Sequence, residues 1–143
     1  MKFKKPHFIA STNIDAQEQK QLLVSKYGDF AVNESDVLIV LGGDGFMLQA
    51  IKDYMDKKIP FFGINYGSIG FLMNSVTIGD LINRLDEAQS VQLSPLVMTA
   101  YDKDDSFHTA KAINEVALLR QTHQAAKIQV SIDNQVRLEE LIC

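Results

Sequence analysis

Continuous apolar segments alternate with segments of helical periodicity over the first two thirds of the chain. The run Asp36–Leu41 is almost entirely β-branched and aliphatic, which is typical of a strand buried on both faces in a parallel sheet. Shorter apolar runs at His7–Ser11 and Phe61–Ile64 predict further strands. Strands and helices in this alternation predict an α/β fold, a doubly wound and mostly parallel sheet with helices on its faces.

Three helices are predicted around these strands. The first covers Ile14–Lys26 and stops at Gly28, since glycine commonly ends a helix. The second follows a glycine-rich turn and repeats apolar residues at helical spacing: Phe46, Met47, Ala50, Ile51, Tyr54 and Met55. The third runs through Leu81, Ile82 and Leu85. It is predicted to begin with a capping box, in which Thr77 and Asp80 bind free amides.

The pattern changes after about Ser90, where helical periodicity disappears. Apolar and polar residues then alternate, and Asp102–Ser106 and Asp133–Asn134 have the composition of polar turns. We therefore expect two domains. Residues 1–92 form the α/β domain, and residues 93–143 form the incomplete start of a β-rich domain, because a few strands rarely make an independent β-domain.

Composition and charge exclude several classes of function. The net charge is −4 and the basic residues are scattered, so the counterion release that drives nucleic-acid binding is not expected. No apolar run is long enough to cross a bilayer, and the residues after Met1 do not form the core of a signal peptide. The only cysteine, Cys143, suits a reducing compartment. A cytoplasmic protein is expected.

The segment Gly42–Gly45, with sequence GGDG, lies between the buried strand and the second helix. Glycine lets a ligand approach the main chain, and a helix N-terminus favours phosphate. Ligands of open α/β sheets bind at the carboxyl ends of strands, where this turn lies. A tight turn with Asp44 as a helix cap explains GGDG alone equally well. Neither a P-loop motif nor the ordinary Gly-x-Gly-x-x-Gly fingerprint follows a strand here.

Two further segments favour the functional interpretation. Gly63–Leu72 reads GINYGSIGFL directly after a strand, and Asn114 and Glu115 stand together at the head of a predicted apolar strand. GGDG, the glycine-rich loop and the Asn-Glu pair, in this order, resemble the NAD kinase family, and the resemblance spans nearly the whole chain. GGDG alone is shared with lipid kinases such as diacylglycerol kinases. Phe46 departs from the family pattern, since many relatives have threonine there.

The resemblance implies a role for each matching residue. Asp44 matches the aspartate that contacts the 2′-hydroxyl of the adenosine ribose, the phosphate acceptor. Gly42, Gly43 and Gly45 match the loop that packs against donor phosphates. The other matching positions lie in a nucleotide pocket, with Asn114 and Glu115 on ribose and nicotinamide groups: Phe71, Leu72, Asn114 and Glu115.

The implied reaction is phosphoryl transfer from ATP or polyphosphate to NAD, giving NADP. The charge of the donor requires a divalent cation such as Mg²⁺, held largely by phosphate oxygens. The resemblance also implies a homodimer or homotetramer and family chains about twice this length. This chain is therefore expected to be truncated and inactive alone. A lipid kinase and a non-catalytic NAD-binding protein are the alternatives, and supplying NAD or diacylglycerol with ATP distinguishes them.

Overall fold

The computed structural model describes residues 3–68, 70–76 and 80–143. The chain divides into two compact units, Met1–Ser94 and Pro95–Cys143. Within the described ranges, no helix is both long enough and apolar enough to cross a membrane.

The first unit is built on a three-stranded parallel sheet. Strand β1 covers Pro6–Ala10, β2 covers Val37–Gly42 and β3 covers Phe61–Asn65, in the spatial order β1-β2-β3. All six residues of β2 are buried, as its uninterrupted apolar sequence predicts for a central strand. The α/β fold class is confirmed.

Helices cover both faces of this sheet. Helix α1 spans Ile14–Tyr27, α2 spans Asp44–Tyr54 and continues in a short 3₁₀ turn, and α3 spans Leu81–Glu87. Alternate residues of β2 point to opposite faces. Ile39 and Leu41 belong to the core shared with α1 and α3, while Leu38 and Val40 pack against α2. Chain connections therefore leave β1 and β2 toward opposite faces.

Of the two helix ends predicted in the sequence, the end of α1 at Gly28 is confirmed and the start of α3 is not. The Asn13 side chain accepts hydrogen bonds at the start of α1, and Gly28, with a φ of +76°, closes it. At α3 the cap itself is Asp80, whose side chain accepts from the Asn83 amide. Asp80 was predicted as the inner member of a capping box, which places it wrongly, and Thr77 lies outside the described residues.

The free edge of β1 is covered by the segment that follows α1. The Phe30 amide donates to the Pro6 carbonyl at 3.1 Å, and the Asp29 carboxylate accepts from the Phe8 amide at 3.0 Å. His7 Nδ1 lies 3.0 Å from the same carboxylate. These contacts occupy main-chain groups that would otherwise offer an open sheet edge for aggregation.

The second unit contains two antiparallel hairpins. Strand β4 (Leu96–Tyr101) pairs with β5 (Phe107–Ala112), and β6 (Lys127–Ile132) pairs with β7 (Gln135–Ile142). Asp133 and Asn134 form the turn of the second hairpin with φ of +50° and +62°, which these residue types tolerate. The predicted change from parallel to antiparallel structure is confirmed.

The prediction of an apolar strand beginning at Asn114 and Glu115 is wrong. Strand β5 ends at Ala112, and residues 115–120 have no regular secondary structure. Leu118 and Leu119 are 83% and 91% exposed. A strand requires a partner for its backbone hydrogen bonds, and no described strand pairs with this segment, so its apolar composition alone does not make it a strand.

Candidate functional site

Three loops meet at the carboxyl edge of the parallel sheet, one after each strand. The Ser11 amide donates to the Leu41 carbonyl at 2.9 Å, and the Tyr66 amide donates to the Gly42 carbonyl at 2.7 Å. The Asn13 side chain adds a 3.2 Å hydrogen bond to the Tyr66 carbonyl. Since the chain leaves β1 and β2 toward opposite faces, the loops after these strands mark a point where ligands of open α/β sheets bind.

Asp44 lies at the centre of this edge as the first residue of α2, directly after the N-cap Gly43. Its carboxylate reaches the loop that follows β3. Oδ2 accepts from the Phe71 amide at 2.7 Å, and Oδ1 accepts from the Leu72 amide at 3.0 Å. The structure thus joins two of the segments that were singled out in the sequence, the GGDG turn and the glycine-rich loop.

The position of Asp44 suits a carboxylate that accepts further hydrogen bonds. The positive end of the α2 dipole favours a negative charge in the first helical turn. Each carboxylate oxygen can accept about two hydrogen bonds, and from the described part of the chain each accepts one, donated by a backbone amide. Asp44 is partly exposed. It therefore keeps acceptor capacity for a hydroxyl group brought to this edge.

The glycines of the two loops differ in what they allow. A Cβ on Gly67 would lie 3.1 Å from the Cα of Gly43, so glycine permits the two loops to pack backbone against backbone. A Cβ on Gly42 would meet the Phe46 ring at 2.8 Å. A Cβ on Gly45 meets no described atom within 4 Å. Close packing therefore accounts for Gly42 and Gly67. A Cβ on Gly43 would make an ordinary 3.6 Å contact with the Gly67 Cα, and Gly45 alone of the four faces open space.

Phe71 and Leu72 contribute to the site through their backbone. Their amides bind Asp44, whereas the Phe71 side chain is 92% exposed and the Leu72 side chain is also exposed. The sequence singled out the two positions but not this use of them, because a backbone hydrogen bond leaves no mark on residue type. A contact of their side chains with a nucleotide stays a prediction.

Two asparagines that shape the loop were not recognised as functional in the sequence. Asn65 Oδ1 accepts from the Gly67 amide at 2.9 Å, which forms the turn that brings Gly67 against Gly43. Asn74 donates from Nδ2 to the Gly63 carbonyl at 2.9 Å. An asparagine at the end of a buried strand, such as Asn65, signals such a turn, whereas nothing in the local pattern distinguishes Asn74.

Asn114 and Glu115 belong to the second unit, where they follow β5 in a bend and are exposed to solvent. The remaining predicted site residues all belong to the first unit. Within the first unit the structure brings together the acidic residue, its glycines and the two amide donors: Asp44, Gly42, Gly43, Gly45, Phe71 and Leu72.

Comparison with known proteins agrees with these features. The family described as the ATP-NAD kinase N-terminal domain matches residues 7–89, which include both loops of the site. NAD kinases of Brucella suis and Caulobacter vibrioides are 45% and 43% identical over 137 and 136 residues, covering 96% and 95% of this chain. An NAD kinase of Xylella fastidiosa is 46% identical over 134 residues. The chain spans about half the length of these relatives, 51–53%. It belongs to the NAD kinase family, of which it corresponds to the N-terminal portion.

Proposed function

We propose that this chain is the acceptor-binding part of an enzyme that phosphorylates NAD to NADP. The phosphoryl group comes from ATP or polyphosphate and passes to the 2′-hydroxyl of the adenosine ribose. The whole protein is taken to include a segment matching the remaining half of the relatives' length. One observation carries the proposal: the Asp44 carboxylate is held at the carboxyl edge of the sheet with unused acceptor capacity.

Asp44 is proposed as the catalytic residue. Phosphoryl transfer needs an acceptor hydroxyl placed in line with the donor and little covalent help from the protein. A carboxylate that accepts the hydrogen of that hydroxyl orients its oxygen toward phosphorus and takes the proton late in the reaction. The two amide hydrogen bonds restrict the carboxylate to one position, so the orientation is fixed before substrate arrives.

Binding roles are also proposed for the other predicted site residues. The backbone of Gly42, Gly43 and Gly45 runs from the end of β2 into the start of α2, where amides favour donor phosphates. Phe71 and Leu72 contact the nucleotide through their exposed side chains. Asn114 and Glu115 bind ribose and nicotinamide groups in the whole protein.

A divalent cation, Mg²⁺, is proposed as the partner of the donor. The described residues contain no group of three or more His, Cys, Asp or Glu that would hold a metal. This donor set fits Mg²⁺, which commonly keeps water and substrate phosphates as ligands and takes one or two carboxylates from the protein. When bound, the cation neutralises charge on the donor phosphates.

The proposed setting is the cytoplasm, where the exposed thiol of Cys143 stays reduced. The proposed assembly is a homodimer or homotetramer of the whole protein. Apolar side chains exposed on the hairpins of the second unit support further burial there, since Val97 and Ile142 are among the exposed residues of β4 and β7. Light scattering during size-exclusion chromatography measures the number of copies.

The test is NADP formation by the whole protein given NAD, ATP and Mg²⁺, with diacylglycerol as a second acceptor. Asp44→Asn is expected to lower kcat by about 10²- to 10⁴-fold. Asp53→Asn is the matched control, because Asp53 lies near the opposite end of α2, exposed and bonded to Gln49. Equal activity of the Asp44→Asn variant and wild type, or phosphorylation of the lipid alone, would contradict the proposal.

A further inference from the structure

The glycine-rich loop leaves β3 and returns to it. The Asn65 amide donates to the Asn74 carbonyl at 2.8 Å, and the Asn74 amide donates to the Gly63 carbonyl at 3.0 Å. Asn74 also forms an isolated parallel bridge with Ile64. The two ends of the loop from Tyr66 to Met73 are thereby fastened to the same strand.

The Asn74 side chain strengthens this closure with a bond of its own. Its Nδ2 donates to the Gly63 carbonyl at 2.9 Å, so that carbonyl accepts both a backbone and a side-chain hydrogen bond from one residue. The side-chain bond restrains the Asn74 side chain against β3. Alanine at this position would keep the backbone bond and lose the second one.

The closure lies next to the groups that hold the catalytic carboxylate. Leu72 and Phe71, whose amides bind the two oxygens of Asp44, stand two and three residues before Asn74. The intervening Met73 packs against the core on the α2 face of the sheet. A shift of Asn74 is therefore transmitted through the packed residue Met73 to the amides of Phe71 and Leu72.

We propose that Asn74 is a positioning residue that acts through the Phe71 and Leu72 amides to fix the Asp44 carboxylate. This inference rests on the proposed function of Asp44. Asn74 does not touch substrate in this role. It keeps the loop closed, the closed loop presents two amides at fixed positions, and the amides fix the carboxylate toward the ribose hydroxyl. Misplacement of a reacting group by about 1 Å can cost on the order of 100-fold in rate.

The experiment compares Asn74→Ala with Asn33→Ala in the whole protein. Asn33 is an exposed turn residue whose side chain makes no hydrogen bond within the described ranges, so its loss is a matched control. The Asn74→Ala variant is expected to lose about 10- to 100-fold in kcat, with a change of less than about threefold in KM for NAD. The control is expected to match wild type in both constants.

A double-mutant cycle separates positioning from general stabilisation. In an Asp44→Asn background, Asn74→Ala is expected to cost less than about threefold further, because residues that act as a unit are non-additive. A loss of the same size in both backgrounds overturns the proposal, since Asn74 would then act without Asp44. Wild-type kcat in the Asn74→Ala variant overturns it as well.

Amide hydrogen exchange provides a readout that needs no activity. The Phe71 and Leu72 amides of the whole protein are expected to exchange about fivefold faster in Asn74→Ala, because losing one hydrogen bond costs roughly 1 kcal/mol. Unchanged exchange at both amides contradicts the inference. If wild type forms no NADP, the proposed function fails, and the exchange result still decides whether Asn74 controls the amides.

Discussion

The substitution Gly45→Ala tests whether the last glycine of GGDG serves the fold or a ligand. Gly45 is the second residue of α2, and its φ lies outside the left-handed region. A Cβ built there meets no described atom within 4 Å. Glycine inside a helix costs about 0.5–1 kcal/mol relative to alanine. The fold of the first unit therefore gives no reason for a glycine at this position.

Two effects of opposite sign are expected from this change. The free energy of unfolding of the first unit rises by about 0.5 kcal/mol, which corresponds to roughly 2–4 °C in Tm for a unit of this size. The KM for ATP of the whole protein rises by about 10- to 100-fold. A methyl group projecting from the loop keeps donor phosphates from the backbone, and one charge-assisted hydrogen bond is worth about 1.5–3 kcal/mol.

Thermal denaturation and initial-rate kinetics measure the two effects, with Gly63→Ala as the contrasting variant. A Cβ on Gly63 would lie 2.5 Å from Met73 Sδ and 2.6 Å from Met47 Cε. Overpacking of this kind costs about 1–3 kcal/mol, reduced when flexible side chains move. Destabilisation by Gly45→Ala would show that a methyl group does not fit at this position. An unchanged KM for ATP would refute the proposal that donor phosphates lie close to the Gly45 backbone.

Three further outcomes are expected. Leu38→Ala lowers the free energy of unfolding by about 2–5 kcal/mol in chemical denaturation, whereas Leu22→Ala, an exposed control, changes it by less than about 0.5 kcal/mol. The 143-residue chain alone gives no measurable NADP in a coupled assay, because Asn114 lies in a segment without a pairing partner among the described strands. Ser106→Ala raises the pKa of Asp102 in an NMR titration, since the Ser106 hydroxyl is the main cause that lowers it, followed by backbone amides. Because the pKa of Asp102 is lower in the folded state than its unfolded value of 3.8, the ionised carboxylate stabilises the β4–β5 turn at pH values above 3.8. This stabilisation is lost as the pH falls through the folded-state pKa.

The elements of the first unit could be predicted from sequence because their signals are local. The uninterrupted apolar run of β2 predicts that both faces of this strand are covered, and all six of its residues are buried in the structure. Helix α1 ends at Gly28, where a positive φ calls for glycine. Such signals depend on a few neighbouring residues and need no knowledge of the remaining fold.

Two features that the sequence did not reveal depend on distant residues, whereas the misplaced start of α3 is a local detail. The segment after Asn114 has the composition of a strand, yet strand formation depends on a partner that composition cannot supply. Asp80 is itself the N-cap of α3, because side-chain hydrogen bonding within a few residues decides which polar residue caps a helix. The Asp44 contacts with the Phe71 and Leu72 amides join groups 27 and 28 residues apart, which no local pattern encodes.

These amide contacts also explain why aspartate suits position 44 better than the similar residues asparagine and glutamate. Asparagine keeps one acceptor oxygen and turns an NH₂ group toward the second amide, so one of the two restraints becomes a clash of donors. Glutamate keeps both oxygens but carries them on a longer side chain, away from the amides of the closed loop. Aspartate alone satisfies both amides and still offers each oxygen to a hydroxyl. Under the proposed function, the residue type at this position follows from two requirements: the protein must hold the carboxylate, and the carboxylate must remain available to the acceptor hydroxyl.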